Sequence, residues 1–97
     1  MSHLSFHPDV GYEIREAYRW YETQAQGLGD DFIEELELAF QAIVEIPETW
    51  PKFKKGFRRY ILSRFPFAVI YSQINNRLYV IAMMHQSRKP DYWLNRV

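Results

Sequence analysis

The chain has 97 residues, 47% of them hydrophobic and 18% aromatic, and its formal net charge at neutral pH is zero. This composition predicts a single globular domain over residues 1–97 and excludes a disordered chain, because large apolar side chains provide the burial that a small domain needs. The absence of cysteine excludes disulfides and thiolate metal sites, and no apolar run is long enough for a membrane helix, so we expect a soluble cytoplasmic protein.

The first half of the sequence has the pattern of two amphipathic helices preceded by a short strand. The strand is expected at residues 4–6. Apolar residues then recur every three or four positions, which predicts helices over 8–26 and 30–46. Gly27–Gly29 breaks the pattern between them, and Pro47 ends the second helix, because proline disfavours helical geometry in the residue before it. A link this short predicts an antiparallel helical hairpin.

The second half predicts a basic loop followed by three antiparallel strands. The loop spans residues 47–56, and the strands are expected at 57–62, 67–73 and 78–84, because these runs are rich in β-branched and aromatic residues. Asn75–Asn76 predicts a tight hairpin turn between the last two strands, since asparagine tolerates positive φ. The three strands therefore form a meander.

The last strand of the meander is apolar at nearly every position, which predicts a central place in the sheet. That leaves the N-terminal strand to lie beside the meander, and a short helix is expected at residues 91–97. The predicted fold class is α+β. It consists of an antiparallel sheet made from the short N-terminal strand and the C-terminal meander, with the helical hairpin packed on one face.

The zero net charge conceals a strong difference between the two halves. Residues 1–50 hold eleven acidic and two basic residues, a net charge of −9, whereas residues 51–97 hold one acidic and ten basic residues, a net charge of +9. This asymmetry indicates either a surface for an acidic partner or simply helices that form salt bridges with the sheet. The candidate residues for binding a partner or an anion are Lys52, Lys54, Lys55, Arg58, Arg59, Arg64, Arg88 and Lys89.

Few residues have the types and spacing that catalysis or metal binding needs. His3, His7 and His85 do not have the spacing of metal ligands, and there is no nucleophile elbow or glycine-rich phosphate loop, so we expect no metal and no cofactor. His85 and Tyr92 are able to transfer protons beside the nearby cations. Both also have structural interpretations, in which His85 caps the strand end and Tyr92 fixes the last helix to the sheet.

The order of two helices, basic loop and three-strand meander, with FPFAVIY at Phe65–Tyr71 and HQSRKPDYW at His85–Trp93, resembles the RelE/ParE family of bacterial toxins. The resemblance covers nearly the whole chain. It implies the toxin of a type II toxin–antitoxin system, of the kind that includes plasmid stabilisation proteins and inhibits growth until a cognate antitoxin neutralises it. It also implies assembly as a homodimer or as a toxin–antitoxin heterotetramer.

The family divides by target. ParE-like members inhibit DNA gyrase and are not known as nucleases, whereas RelE-like members are endoribonucleases that cleave mRNA on the ribosome. The RelE-like pattern has an arginine where this chain has Ala68, and its next arginine falls on Gln86, which favours a ParE-like toxin that is not an enzyme. If the chain is a nuclease instead, the resemblance implies His85, Arg88 and Tyr92 as catalytic residues. A third interpretation is an interaction module of the same fold that is not toxic.

Overall fold

The structure is a computed structural model that describes residues 4–97. Its helices and strands, in chain order, are β1 (Leu4–Phe6), α1 (Pro8–Gln24), α2 (Leu28–Glu45), β2 (Arg58–Ile61), β3 (Phe67–Ile74) and β4 (Arg77–His85). Two short 3₁₀ turns lie outside these elements, at Lys54–Gly56 and Tyr92–Arg96. Neither helix combines the length and the apolar character that crossing a bilayer requires, within residues 4–97.

The strands form one four-stranded sheet in the order β1-β4-β3-β2, which confirms the predicted α+β class. Strands β2, β3 and β4 are an antiparallel meander, as expected, and β1 pairs in parallel with β4. Strand β4 is therefore central, and this position explains its nearly continuous apolar sequence. The sheet is mixed rather than purely antiparallel, because the long connection through α1, α2 and the basic loop allows β1 to run parallel to β4.

The link between the helices is shorter than the sequence indicated. Gly27 takes the left-handed conformation, with φ 86°, but α2 already begins at Leu28. The Glu22 carboxylate accepts hydrogen bonds from the N–H groups of Gly27 and Gly29, at 3.3 and 2.7 Å. It thereby satisfies donors that a helix start leaves unpaired. Gly29 is helical, and glycine is needed there because a Cβ would lie 2.8 Å from Tyr18.

The strand boundaries and the end of α2 differ from the predicted ones by no more than one residue, and two other differences are larger. Helix α1 ends at Gln24 instead of residue 26, because Ala25 is extended, with φ −160° and ψ 137°. The C-terminal helix predicted for residues 91–97 is a 3₁₀ turn over Tyr92–Arg96. By contrast, the hairpin turn is as predicted, with φ values of 52° at Asn75 and 64° at Asn76.

Both faces of the sheet are covered. The face beneath the two helices holds the larger cluster of buried side chains, which includes Phe32, Leu36 and Ile43 from α2 and Phe67, Val69, Tyr71, Leu78, Val80 and Met83 from the sheet. The opposite face is covered by the basic loop and by the C-terminal turn. Its buried side chains are Phe57, Ala68, Ile70, Ile81, Ala82, Met84 and Trp93.

A β-bulge changes the direction of side chains along β4. Ile70 of β3 pairs with Ala82, but the next residue, Tyr71, pairs with Val80, so Ile81 is the extra residue. Ile81 and Ala82 consequently both face away from the helices, and Met83 and His85 face them. Bulges commonly redirect side chains in this way next to functional sites.

Candidate functional site

A groove lies between α1 and the C-terminal end of β4. It encloses about 430 Å³, and it is lined by Tyr12, Glu13, Glu16, Ala17, Trp20, Tyr21, Phe67, Met83, His85 and Arg88. Tyr12 and Trp20 are 60% and 61% exposed, although residues of this size and type are usually buried. With Glu16 between them at helical spacing, they form one exposed stripe of α1. The groove thus combines an apolar floor with an aromatic and charged rim.

One end of the groove is closed by a cluster around Glu13, which we call the Glu13 cluster. It comprises Glu13, Tyr92 and Arg96. The Glu13 carboxylate accepts hydrogen bonds from the Tyr92 hydroxyl at 2.6 Å and from the Arg96 guanidinium at 2.8 and 3.1 Å. It also accepts the N–H of Met83 at 2.9 Å. Arg96 in turn donates to the carbonyl of Ile81 at 3.0 Å.

The Glu13 cluster completes the outer edge of β4. Strand β1 pairs with β4 only as far as Val80, whose carbonyl accepts the N–H of His7 at 2.8 Å. Beyond Val80, the backbone groups of Ile81 and Met83 would have no strand to bind. The side chains of the Glu13 cluster take the place of that strand and bind the Met83 N–H and the Ile81 carbonyl on this edge of the sheet.

This arrangement bears on Tyr92, which the resemblance implies as catalytic only if the chain is a nuclease. Burial raises the pKa of Tyr92 far above its ordinary value, and the hydrogen bond to Glu13 and the Glu13 charge raise it further. The hydroxyl is already bound to Glu13, with the Met83 carbonyl 3.3 Å away. In this geometry Tyr92 holds the C-terminal turn against the sheet.

His85 faces the groove from the last position of β4. Its Nδ1 accepts the backbone N–H of Ser87 at 3.0 Å, and the Ser87 hydroxyl lies 2.7 Å from the same nitrogen. Since Nδ1 is the acceptor, the neutral ring carries its proton on Nε2. The ring also packs edge-on against Phe67, with centroids 4.9 Å apart. His85 therefore caps the strand end and still offers one N–H donor.

Arg88 is the predicted cation that the structure brings to the groove. Its guanidinium stacks on the Tyr92 ring, 3.8 Å from the centroid, which is a close cation–π contact. Lys89, the next residue, is exposed. His85 and Arg88 thus both line the groove, and Arg88 contacts Tyr92, whose hydroxyl donates to the Glu13 carboxylate.

The remaining predicted cations lie elsewhere. Arg58 and Arg59 face opposite sides of the sheet, as expected for consecutive strand residues. Arg58 donates to the carbonyl of Trp50 at 2.7 Å, and Arg59 stacks on Phe53 at 4.5 Å. Arg64 pairs with Asp31 of α2 at 3.5 Å. The lysines of the loop, Lys52, Lys54 and Lys55, are exposed. The basic residues therefore form two groups, one around the loop and β2 and one beside the groove.

Part of the charge asymmetry has a structural explanation. Glu13 and Asp31 from the acidic helices pair with Arg96 and Arg64 from the basic half. Glu35 of α2 accepts N–H groups from the connection between β2 and β3 and the Ser63 hydroxyl, which lowers its pKa despite partial burial. These contacts are the salt-bridged helices that the sequence left open as an alternative. They leave the three lysines of the loop without a carboxylate partner within residues 4–97.

The position of Ala68 is relevant to nuclease chemistry. Ala68 is fully buried on the face away from the helices, in the cluster that contains Trp93. A cation at this place would be covered by the loop and the C-terminal turn. Within residues 4–97 no group of three or more histidine, aspartate or glutamate side chains is arranged to hold a metal ion.

Two features of the site escaped the sequence-based prediction. Glu13 was one of eleven acidic residues in the first half, and its contacts with Tyr92 and Arg96 span 79 and 83 residues. Tyr12 and Trp20 are off the apolar face that defines α1, and their spacing of eight residues was the available signal. An aromatic pair at that spacing on the polar side of a helix indicates an exposed stripe.

No model of a known protein family and no curated protein sequence matches this chain. Among solved structures, the chain is similar to a chain of the structure described as "Chromosomal ParDE TA system from P. aeruginosa", with a TM-score of 0.69. The two chains are 12% identical, and the match covers 88% of this chain and 96% of that chain. At an identity this low, the structural match shows a shared fold. The resemblance to RelE/ParE toxins is therefore confirmed at the level of the fold, which this chain shares with a component of a ParDE toxin–antitoxin system.

Proposed function

We propose that this protein is the ParE-like toxin of a type II toxin–antitoxin module. The observation that carries the proposal is the fold, shared over 88% of the chain with a component of a ParDE system. The order of motifs along the chain supports the toxin rather than the antitoxin, since a helical hairpin followed by a meander is the toxin pattern. The partner is a cognate antitoxin, and the module acts in the cytoplasm, where its target is found.

The target that we propose is DNA gyrase, and three observations favour it over ribosomal mRNA. Ala68 leaves the place of the nuclease arginine apolar and buried. The Tyr92 hydroxyl is bound to Glu13, and its raised pKa disfavours the ionised form. The half-exposed Glu16 carboxylate lines the groove that holds His85 and Arg88, and it would repel the phosphates of an RNA strand.

The first experiment is induction of the chain alone and together with the product of the neighbouring gene. We expect induction alone to stop growth and co-expression to restore it. The proposal of a toxin is contradicted if induced cells that contain soluble protein grow normally, which would instead support a non-toxic interaction module.

A second experiment separates the two targets. Purified protein should inhibit supercoiling by gyrase, and full gyrase activity at a large molar excess of the protein would exclude that target. The ribonuclease alternative predicts codon-aligned cuts in translated mRNA by primer extension. It also predicts that His85→Ala abolishes toxicity, whereas a gyrase inhibitor produces no such cuts.

A further inference from the structure

The basic loop is fixed to the outer side of β2 by a short ladder. The Phe53 N–H donates to the Phe57 carbonyl at 2.7 Å, and the Arg59 N–H donates to the Pro51 carbonyl at 3.0 Å. The ladder ends at Pro51, because proline has no N–H to offer the Arg59 carbonyl. The sheet therefore holds the backbone that carries the lysines of the loop.

Arg59 is held in one orientation beside this loop. Its guanidinium stacks on the Phe53 ring at 4.5 Å, and the centroid of that ring lies 6.2 Å from the centroid of Trp93. The Nε of Arg59 is buried without a hydrogen bond, and the side chain has no carboxylate partner within residues 4–97. A planar guanidinium presents a fork of N–H donors that matches the oxygens of a phosphate. Arg59 is thus positioned to bind an oxyanion from a partner.

The turn of the loop holds a lysine in a conformation that few side chains adopt. Lys55 has φ 57° and ψ 32°, in the left-handed region. It is exposed, and so is Lys54, so packing does not explain the presence of lysine at this position. Backbone conformations of this kind occur preferentially at functional sites. The turn therefore indicates a use for the cation that it carries.

The cations of this region lie on both faces of the sheet edge. Between residues 47 and 61 the chain carries five cations and a single carboxylate, that of Glu48. Lys52 lies opposite Arg58 and shares its face, whereas Arg59, the next residue, points to the other face. The turn joins the two sides. We call the four cations without a partner in this region the basic surface; they are Lys52, Lys54, Lys55 and Arg59.

We propose that the basic surface binds the phosphate backbone of duplex DNA, an inference that rests on the proposed function because gyrase holds duplex DNA when it acts. A duplex presents a row of phosphates on each side of a groove, and the basic surface has cations on both faces of one edge. Lys52 contacts one row and Arg59 the other, with the two lysines of the turn between them. These contacts do not involve base edges, so binding is independent of sequence.

The test measures binding of the full chain to a fluorescent DNA duplex of about 20 base pairs by anisotropy. Four phosphate contacts predict a slope of about −3.6 when the logarithm of the association constant is plotted against the logarithm of the salt concentration. The affinity should therefore fall roughly a hundredfold between about 50 and 200 mM salt. The proposal is overturned if no binding is detected at millimolar protein and low salt, or if single-stranded RNA of the same length binds more tightly than the duplex.

A pair of double variants tests whether the basic surface is the site. Lys52→Gln combined with Lys54→Gln removes two contacts, so the slope should change to about −1.8 and binding at low salt should weaken roughly tenfold or more. The matched control combines Arg15→Gln with Arg77→Gln, which removes two exposed arginines outside the basic surface. The control should bind within about threefold of the natural chain, with the same slope. Equal binding by the two double variants would refute the proposal.

Two single variants test the turn and the stacked arginine. Lys55→Asn removes the charge but suits the positive φ, so the melting temperature should stay the same or rise while the magnitude of the slope falls by about 0.9. Arg59→Gln should change the slope by a similar amount, roughly one contact. Thermal unfolding checks that each variant is folded. Unchanged DNA binding in both variants would overturn the proposal.

The outcome is separable from that of the proposed function, because the same variants are assayed for inhibition of gyrase. We expect the Lys52→Gln and Lys54→Gln double variant to inhibit supercoiling roughly tenfold less than the control. If the chain binds DNA with the expected slope but neither stops growth nor inhibits gyrase, the toxin proposal fails and the basic surface remains a DNA-binding site. If the chain inhibits gyrase and both double variants inhibit it equally, the gyrase proposal stands and the proposed DNA contact is wrong.

Discussion

The two edges of the sheet bind their outward backbone groups in different ways. At the outer side of β4, the backbone groups beyond Val80 are bound by side chains from opposite ends of the sequence, namely Glu13, Tyr92 and Arg96. At the outer side of β2, they are bound by the backbone of the adjacent loop, and this ladder ends at Pro51. Disrupting the β4 edge is therefore expected to lower the free energy of unfolding, whereas the β2 edge beyond Pro51 stays open at little cost in stability. The β4 edge thus contributes to stability, and the β2 edge keeps backbone groups available for binding.

The largest expected effect comes from removing the centre of the closed edge. Glu13→Ala should lower the free energy of unfolding by about 3 kcal/mol, because Arg96 keeps its charge where its side chain is only 12% exposed and Met83 loses an acceptor for its N–H. Urea denaturation measures this change.

The matched control is Glu16→Ala, about one turn along the same helix. Glu16 is half exposed, and its ion pair is with Arg19 on the surface. Removal of this ion pair should lower the free energy of unfolding by less than about 0.5 kcal/mol. If the two variants are equally stable, the Glu13 cluster does not hold the edge closed.

Alkaline pH should weaken the same edge. The pKa of Tyr92 is raised in the folded state, mainly by burial, so the folded protein keeps a proton that the unfolded chain loses above pH 10 or so. Stability is therefore fully present below that pH and falls as the pH rises, by up to about 1.4 kcal/mol per pH unit for one such tyrosine. Burial also raises the pKa of Tyr71 to about 12, which adds to the slope between pH 10 and pH 12.

The contribution of Tyr92 is measured by comparing unfolding free energies from pH 8 to pH 11.5 in the natural chain and in Tyr92→Phe. The variant should be less stable at pH 8 but have a shallower decline. Tyr12→Phe, which removes an exposed hydroxyl, should leave the profile unchanged. Parallel profiles for the natural chain and Tyr92→Phe would show that Tyr92 ionises equally in both states.

Charge-reversal variants test whether the two groups of cations function in recognition. Arg59→Glu at the β2 edge and Arg88→Glu beside the groove should each reduce either toxicity or antitoxin binding roughly tenfold, with Arg77→Glu as control. Growth after induction and titration with the purified antitoxin are the measurements. If both variants behave like the control in both assays, the cations are solvated surface without a function in recognition.

The smallest expected effect concerns the open edge itself. Ile61→Thr should change the free energy of unfolding by less than about 0.5 kcal/mol, because the side chain is half exposed and threonine suits a strand. Val80→Thr, the same kind of change at a fully buried position of β4, should cost about 2 kcal/mol. Similar costs at the two positions would mean that the edges are equally constrained.

The sequence was sufficient for the elements and their order, because each depends on local pattern. The paired asparagines at 75 and 76 specify their turn, and the apolar run of β4 specifies a central strand. The periodicity of α1 predicted an amphipathic helix, and Val10 and Ala17 on its apolar face are buried. These features follow from the conformational preferences of a few neighbouring residues.

The site was predictable only in part, because it depends on contacts between distant residues. His85, Arg88 and Tyr92 lie within eight residues of one another, so the local sequence already brings them near the end of β4. Glu13 was not predicted, since nothing near it in the sequence distinguishes it from the other acids of the helices. The limit of the ladder at Pro51 required the strand register, which places that proline opposite Arg59.

The extra residue at Ile81 has a consequence for how chains of this fold diverge. If the same residues formed a regular strand without the bulge, simple alternation from Val80 would point Met84 toward α1 and the His85 imidazole to the other face. Gain or loss of the bulge alone could therefore exchange the groups presented at the strand end without altering any of them. Proteins of this fold with identical strand-end residues would then carry different chemistry, and alignments of such proteins need to account for the bulge before residues are compared by position.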